Sequence, residues 1–417
     1  MKPLFFFLLG LISTHLMAQE EISLETCYSL VKTHHPLAKQ NDLHLQKNAI
    51  DADVIKKSKL PNIALNGQAS YQSDVTHVPI DNPMLSITPP NKDQYKASLT
   101  ANQLIYGGAI NTLLEMQNIE FKTQQKQVEI SMYQLKKQVS QLYFSILLMQ
   151  EKSKLLEANK NLLLDKQKDL KTGIKYGVVL ASSEAILSVE LLKTGQLQTE
   201  VTQNKKHLIA TLSSLIGKEL TNENTFPTPV IQPAIATGLQ RPELNLFALQ
   251  KQSIAAKSQW IKKQKNPKLF GFATGGYGNP GLNMLDNAFQ TYYMVGVKLS
   301  WNIFDWNKTQ KQAQSLAINQ EIIDNKREVF ELNTHMELDQ QMAEIEKLNE
   351  FIESDKTIVM LRKKIAESAS AELQNGTSTP SAYTTELTQL FESETNLKTH
   401  QIQLLLAKAN YKITKGN

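Results

Sequence analysis

Apolar and polar residues alternate with a period of two in several short stretches, and with a period near three and a half in two very long ones. In Tyr95–Gln103, Tyr95, Ala97, Leu99 and Ala101 point one way, and Lys96, Ser98, Thr100 and Asn102 the other. In Tyr293–Ile303, Tyr293, Val295, Val297, Leu299, Trp301 and Ile303 form one face and Met294, Gly296, Lys298, Ser300 and Asn302 the opposite one. Asn62–Tyr71 alternates as well, with Ile63, Leu65, Ala69 and Tyr71 on one side, while Leu269–Tyr277 is rich in glycine and its facing is ambiguous. Such alternation predicts β-strands with one apolar face. By contrast, residues 109–172 and 307–375 contain no Gly and no Pro and are rich in Leu, Lys, Gln and Glu. They predict two helices, each on the order of 100 Å long at about 1.5 Å per residue. Met342, Ile345, Leu348, Ile352, Val359 and Ile365 step mostly by three or four and predict packing along one seam.

The pattern occurs twice. Pro36 and Pro61 are 25 residues apart, as are Pro242 and Pro267. Ile105-Tyr106 matches Ile303-Phe304, and Gly177 matches Gly376, at a slightly smaller offset. The difference falls on a Pro-rich loop holding Pro79, Pro83, Pro89 and Pro90. Each half reads helix, strand, strand, very long helix, turn, helix. The first repeat spans residues 19–221, with strands about 61–71 and 94–106 and a helical hairpin over 108–216. A Pro-containing linker covers 222–240. The second repeat spans 241–417, with strands about 267–277 and 289–304 and a hairpin over 306–413.

Composition narrows the setting. Lys2, an apolar run from Leu4 to Ile12, and Ala18 form a signal peptide over residues 1–18. No later stretch approaches the length of an apolar transmembrane helix, so the mature chain is either soluble or part of a β-barrel. The single cysteine, Cys27, allows no internal disulfide. The net charge of +5 comes from interspersed acids and bases, without the basic stripe that nucleic-acid binding needs.

About ten residues per strand at ~3.3 Å, tilted roughly 45°, match the apolar band of an outer-membrane barrel. Four strands cannot close a barrel, and open edges in lipid would leave backbone groups unpaired. Insertion therefore requires several copies to pool their strands. Trp301, Phe304 and Trp306 suit either an interfacial girdle or packing where the last strand meets the long helix. The periodicity also admits a secreted or periplasmic coiled-coil rod or adhesin, without a pore, whose strands form a soluble cap.

Several short motifs carry a resemblance over essentially the whole mature sequence. These are His35-Pro36-Leu37 and Arg241-Pro242-Glu243-Leu244 at helix starts, Leu104-Ile105-Tyr106-Gly107-Gly108 and Trp301-Asn302-Ile303-Phe304-Asp305-Trp306 at strand-to-helix junctions, and Tyr176-Gly177 and Asn375-Gly376-Thr377 at hairpin tips. In order and spacing the chain resembles the TolC family of outer-membrane efflux proteins. The resemblance implies a mainly α fold with a membrane β-barrel part. Three chains would form a 12-stranded β-barrel continued by a long α-helical barrel, located in the cell outer membrane and extending into the periplasm. It implies a passive duct for small molecules, metals or proteins, the channel component of a tripartite efflux or type I secretion system. The partners it implies are two further copies in a homotrimer, outer-membrane lipid, a periplasmic adaptor (membrane fusion) protein and an inner-membrane transporter. By position, Gly177, Val178, Val179, Gly376, Thr377 and Ser378 are the candidate adaptor-contact residues, and Lys96 and Lys298 would face the lumen. The best-known member has a basic and two acidic residues after the second tip. Here Ser378, Ala382 and Thr385 stand there, with Glu386 the nearest acid. In the first half Glu184 either joins a gate ring or sits in the first helical turn behind Ser182 or Ser183.

Other constellations point to no chemistry. His34-His35 at a helix start lack further ligands at metal-site spacing. His335 with Glu331 and Asp339 reads as a solvated face. Gly275-Gly276-Tyr277-Gly278 lacks the Lys and Ser/Thr of a phosphate loop. The reading requires no catalysis, no cofactor and no metal ion.

Overall fold

The computed structural model describes residues 21–76, 89–107, 109–177, 180–232 and 238–416. Residues 1–18, expected to be a signal peptide, and Pro79, Pro83, Val178 and Val179 lie outside these residues.

Seven helices and four strands are described: α1 (Leu24–His34), α2 (Ala38–Lys57), β1 (Asn62–Tyr71), β2 (Asp93–Tyr106), α3 (Ala109–Lys175), α4 (Ala181–Ile216), α5 (Pro242–Lys263), β3 (Lys268–Asn279), β4 (Gln290–Ser300), α6 (Lys308–Gln374) and α7 (Pro380–Lys415). The long helices α3 and α6 have 67 residues each, about 100 Å of helix apiece. Two differences from expectation stand out. An extra helix, α1, precedes Pro36, so His34 and His35 close α1 rather than open a helix. And β4 stops at Ser300 instead of reaching residue 304, because Ser300 pairs with Lys268 and the next residue back is Pro267, which has no N–H for a ladder.

The described residues form two compact units, and each draws on both halves of the sequence. One consists of Gln40–Val128 with Glu243–Val329 and contains the sheet. The other consists of the residues up to Lys39, Glu129–Pro242 and those from Phe330 on, and is helical.

In the helical unit, Ile22, α1 (Leu24, Cys27, Val31), α3 (Val139, Tyr143, Phe144, Ile146), α4 (Leu212, Ile216) and Phe226 share one core. The Tyr143 hydroxyl lies 2.7 Å from the Pro227 carbonyl and 3.1 Å from that of Ile22, and Gln150 hydrogen-bonds both backbone groups of Phe226. A second core near the hairpin tips joins Leu163 and Leu170 (α3), Leu187 (α4), Ala369 and Leu373 (α6), and Tyr383 and Leu387 (α7).

The covered side of α6 steps strictly by three and four. Leu338, Gln341, Ile345, Leu348, Ile352, Asp355, Val359, Arg362, Ala366, Ala369 and Leu373 are all buried or half-buried, the heptad seam of two helices wound together. Met342 and Ile365, expected in that seam, lie one residue off it and are exposed. Each of the three polar seam residues has a partner on α7: Gln341 donates to Thr414 (3.0 Å), Asp355 meets His400 (2.6 Å) and Arg362 meets Glu386 (3.2 Å).

Both halves reuse one joint in this unit. Gly217 ends α4 with φ 66°, and a Cβ there would fall 2.8 Å from His34 Cβ. Gly416 ends α7 with φ 107°, and a Cβ there would fall 2.3 Å from the backbone of Gln240. His34 and Gln240 each stand two residues before a proline, Pro36 and Pro242. Close approach plus positive φ leaves only glycine.

Candidate functional site: an apolar sheet face and two hairpin tips

The sheet is antiparallel in the order β1-β2-β3-β4, so β1 and β4 are its edges, with no further strand beside them among the described residues. Its register settles which side chains share a face, because cross-strand partners point the same way. Leu65 pairs with Leu99, Leu99 with Gly275 and Gly275 with Tyr293. Hence Ile63, Leu65, Leu99, Val295, Val297 and Leu299 lie on one face together with Gly271, Ala273, Gly275 and Tyr277. Lys96, Ser98, Thr100, Asn102 and Lys298 lie on the other. The ambiguous strand β3 is thereby assigned, and the Gly-rich run from Gly275 is inside it.

The apolar face is uncovered. Leu65 is 79% exposed, Tyr293 82% and Val295 74%. A soluble sandwich would have buried this face against a second layer. Its composition is also banded. Exposed Tyr71, Tyr95, Tyr277, Phe289 and Tyr293 stand toward one end, with Tyr277 and Phe289 stacked at 5.5 Å. Exposed Tyr106, Trp301, Phe304 and Trp306 stand at the other, with Phe304 and Trp306 edge to face at 4.8 Å. Aliphatic side chains fill the space between.

Glycine on β3 and β4 has a packing reason. Phe272 crosses its register partner Gly296, where a Cβ would meet the ring at 2.8 Å, and Tyr292 crosses its partner Gly276, where one would meet the ring at 2.5 Å. The two aromatic rings lie flat along the polar face over glycines of the neighbouring strand.

At the strand-to-helix junction, Asp305 accepts hydrogen bonds from the Thr309 backbone N–H (3.1 Å) and hydroxyl (2.5 Å) and an ion pair from Lys265 (3.0 Å). The Thr309 bonds, with Lys265 behind them, hold its carboxyl down at about 2. Asp305 is not among the residues predicted from sequence; an Asp four residues before Thr309 at a helix start is the available signal.

Both tips turn through glycine in the left-handed region: Gly177 with φ 74° and Gly376 with φ 72°. At the second, Gly376 N–H reaches Leu373 O (3.2 Å) and Thr377 N–H reaches Glu372 O (2.9 Å), a helix stop of the Schellman type. Thr379 then caps α7 by accepting from Ala382 N–H, with Pro380 in the first turn. Ser378 with Ala382, Thr385 and Glu386 lines an open groove of ≈ 570 Å³. At the first tip, Leu180 and not a serine occupies the N-cap position, without a side-chain cap. Glu184 sits in the first turn of α4 and forms an ion pair with Lys171 of α3 at 3.3 Å. Its carboxylate is engaged within its own hairpin. Lys166, also on α3, is almost fully buried and lies 5.5 Å from the Tyr383 ring centroid. Spacing alone gave no signal for it.

His34 and His35 take local partners. His34 Nδ1 lies 2.7 Å from Thr33 Oγ1, His35 Nδ1 accepts from Leu37 N–H, and His335 is exposed. Among the described residues no group of three or more His, Cys, Asp or Glu side chains could hold a metal ion, and no helix is long and apolar enough to cross a membrane.

The sequence matches no protein-family model and none of the curated proteins compared with it. Solved structures do match. The outer membrane protein VceC from Vibrio cholerae superposes with a TM-score of 0.67 at 13% identity, covering 94% of this chain and 96% of that one. The CmeC outer membrane channel of Campylobacter jejuni gives 0.65 at 14%, covering 94% and 86%. The open-state MtrE outer membrane channel of Neisseria gonorrhoeae gives 0.66 at 13%, covering 94% and 89%. At these identities the likeness is one of fold. The chain has the fold of outer-membrane channel proteins, mainly helical with one small antiparallel sheet, as its resemblance to the TolC family implied.

Proposed function

We propose that this chain is one protomer of an outer-membrane export channel, a passive duct that acts in the cell outer membrane and the periplasm and performs no catalysis. The observation that carries the reading is the sheet. A four-stranded antiparallel sheet with two open edges exposes an aliphatic band between two sets of aromatic residues and turns its polar residues the other way. From Thr291, the partner of Tyr277, to Trp301 is about ten residues, roughly 23 Å of membrane depth at a 45° tilt, close to the ~25 Å apolar band of a membrane barrel. Lipid stabilises such a face, and water does not. Four strands cannot close on themselves, so three copies would contribute twelve, each β1 edge meeting a neighbour's β4 edge. A pore-less rod gives no reason for the uncovered band.

The resemblance and the fold support the remaining assignments. Residues 1–18 would be removed on export, and the two repeats, 19–221 and 241–417, would each contribute one strand hairpin and one helical hairpin. Gly177, Val178, Val179, Gly376, Thr377 and Ser378 would meet a periplasmic adaptor that couples the duct to an inner-membrane transporter. A tight glycine turn lets a helical hairpin of the adaptor seat against the tip.

Two experiments test the reading. Purified full-length protein in detergent should open ion-conducting pores in a planar bilayer; a preparation that never conducts contradicts the duct. Gly177→Trp and Gly376→Trp should abolish export in cells while leaving the assembled particle intact. Undiminished export would remove the tips from the adaptor surface.

A further inference from the structure

The polar face of the sheet carries cations and no anions. Its register assigns it Asn62, Asn66 and Gln68 on β1, Lys96, Ser98 and Thr100 on β2, and, by the pairs Lys268–Ser300 and Phe270–Lys298, two more lysines on β3 and β4. Lys268 was not apparent from the sequence, because it stands at the very start of its strand next to Pro267. No Asp or Glu occupies any position of this face in the four strands. None of the three lysines has an acidic partner among the described residues. The nearest carboxylates by sequence are spent or lie elsewhere: Asp305 is held by Lys265 and Thr309, Asp93 shares the apolar face with its partner Tyr71, and Asp286, beyond the strand end, accepts from Gln290.

The charges form two levels. Lys298 is the partner of Phe270, and Lys268 stands two residues from Phe270 on the same face, a diagonal pair of like charges ~7–8 Å apart between backbones. Lys96 stands eight residues along β2 from Leu104, which pairs with Phe270, roughly 26 Å away. Like charges at this spacing repel, and an anion between them relieves the repulsion.

Resting on the duct reading, we propose that this face is a cationic lining that makes the channel select for anions, so that its cargo is anionic solute. In a threefold assembly the three lysines per copy become two rings. The one beside the strand-to-helix junctions carries Lys268 and Lys298, and the other carries Lys96. Low-dielectric walls focus their field across the lumen and raise the local concentration of anions there. Between the rings the side chains are neutral, Asn66, Ser98, Thr100 and Asn102 beside Phe272, Thr274 and Met294, so none of them opposes the lysines.

The test is a reversal-potential measurement on the full-length protein in a planar bilayer under a KCl gradient at low salt. The expected chloride-over-potassium permeability ratio is above one. It should fall stepwise in Lys298→Gln and in the triple variant Lys96→Gln, Lys268→Gln, Lys298→Gln, and invert in Lys298→Glu combined with Lys268→Glu, with pores still forming throughout. The ratio should also shrink toward one near 1 M salt, where the screening length is about 3 Å. A wild-type pore that prefers potassium, or an anion preference unmoved in the triple variant, overturns the lining while leaving the duct standing. A wild-type protein that forms no pore overturns both.

Discussion

His400 on α7 lies 2.6 Å from the Asp355 carboxylate on α6, in the middle of a mostly apolar heptad seam. It is the central one of three polar contacts, between Gln341–Thr414 and Arg362–Glu386. Antiparallel helices of 67 and 36 residues with a uniform apolar seam could slide by a heptad at little cost. Polar pairs placed once each remove that freedom, as a buried polar residue does in shorter coiled coils.

Asp355→Ala should therefore destabilise the hairpin by about 1–3 kcal/mol, since it strands a half-buried imidazole. The double variant Asp355→Leu, His400→Leu should regain most of that loss yet broaden the register of the hairpin. Urea unfolding followed by circular dichroism measures the first effect. Paired spin labels on α6 and α7 measure the second, as a widened distance distribution.

The four left-handed glycines should separate into two classes. Gly177 and Gly376 have open space around a would-be Cβ, so alanine costs only the backbone strain of positive φ, about 1–2 kcal/mol. Gly416→Ala adds overlap with the Gln240 backbone, and Gly217→Ala overlap with His34. Both should lose clearly more stability than the tip variants, Gly416→Ala most, because backbone gives way less readily than a side chain. Urea midpoints of the four single variants in the same detergent provide the ranking.

Asp305 gives an acid-side signature. Its folded-state carboxyl is depressed to about 2 from an ordinary value near 4, so it binds its proton less readily folded than unfolded. Its contribution to stability is fully present above about pH 4 and is lost as pH falls toward 2. Asp305→Asn should flatten the stability profile in that window and leave its shape above pH 5 unchanged. Unfolding midpoints collected from pH 2 to pH 7 make the comparison.

Cys27 should be chemically silent. It is wholly buried in the α1 core, and burial, with Glu25 nearby, pushes its thiol up to about 12. A maleimide at pH 8 should leave folded protein unlabelled for hours and label urea-unfolded protein within minutes. Rapid labelling of folded protein would mean that α1 detaches.

Much of this architecture is readable from residue patterns. Period two located β1, β2 and β4, and the absence of Gly and Pro located α3 and α6, because a single physical preference dominates over those lengths. Local pattern misleads where a neighbour decides. Met342 and Ile365 fit an apolar count by three and four, but the strict heptad places Gln341 and Ala366 inward. Hydropathy overlooks Gln341 because its amide nitrogen donates to Thr414, a bond that no local pattern encodes. Trp301–Ile303 continue the alternation of β4 but pair with no strand among the described residues, since the chain beside them reaches Pro267. Glycine obscured the facing of β3 until register placed Phe272 over Gly296 and Tyr292 over Gly276. Lys268 joined the candidate site only through pairing with Ser300, which no local pattern encodes.

The central claim is that copies of this chain must share their strands to close a wall in lipid. The most direct measurement is the protein mass of the detergent-extracted, full-length particle, obtained by native mass spectrometry. Three copies per particle, insoluble once detergent is removed, is the predicted result. A single copy that stays dispersed in water without detergent would contradict it.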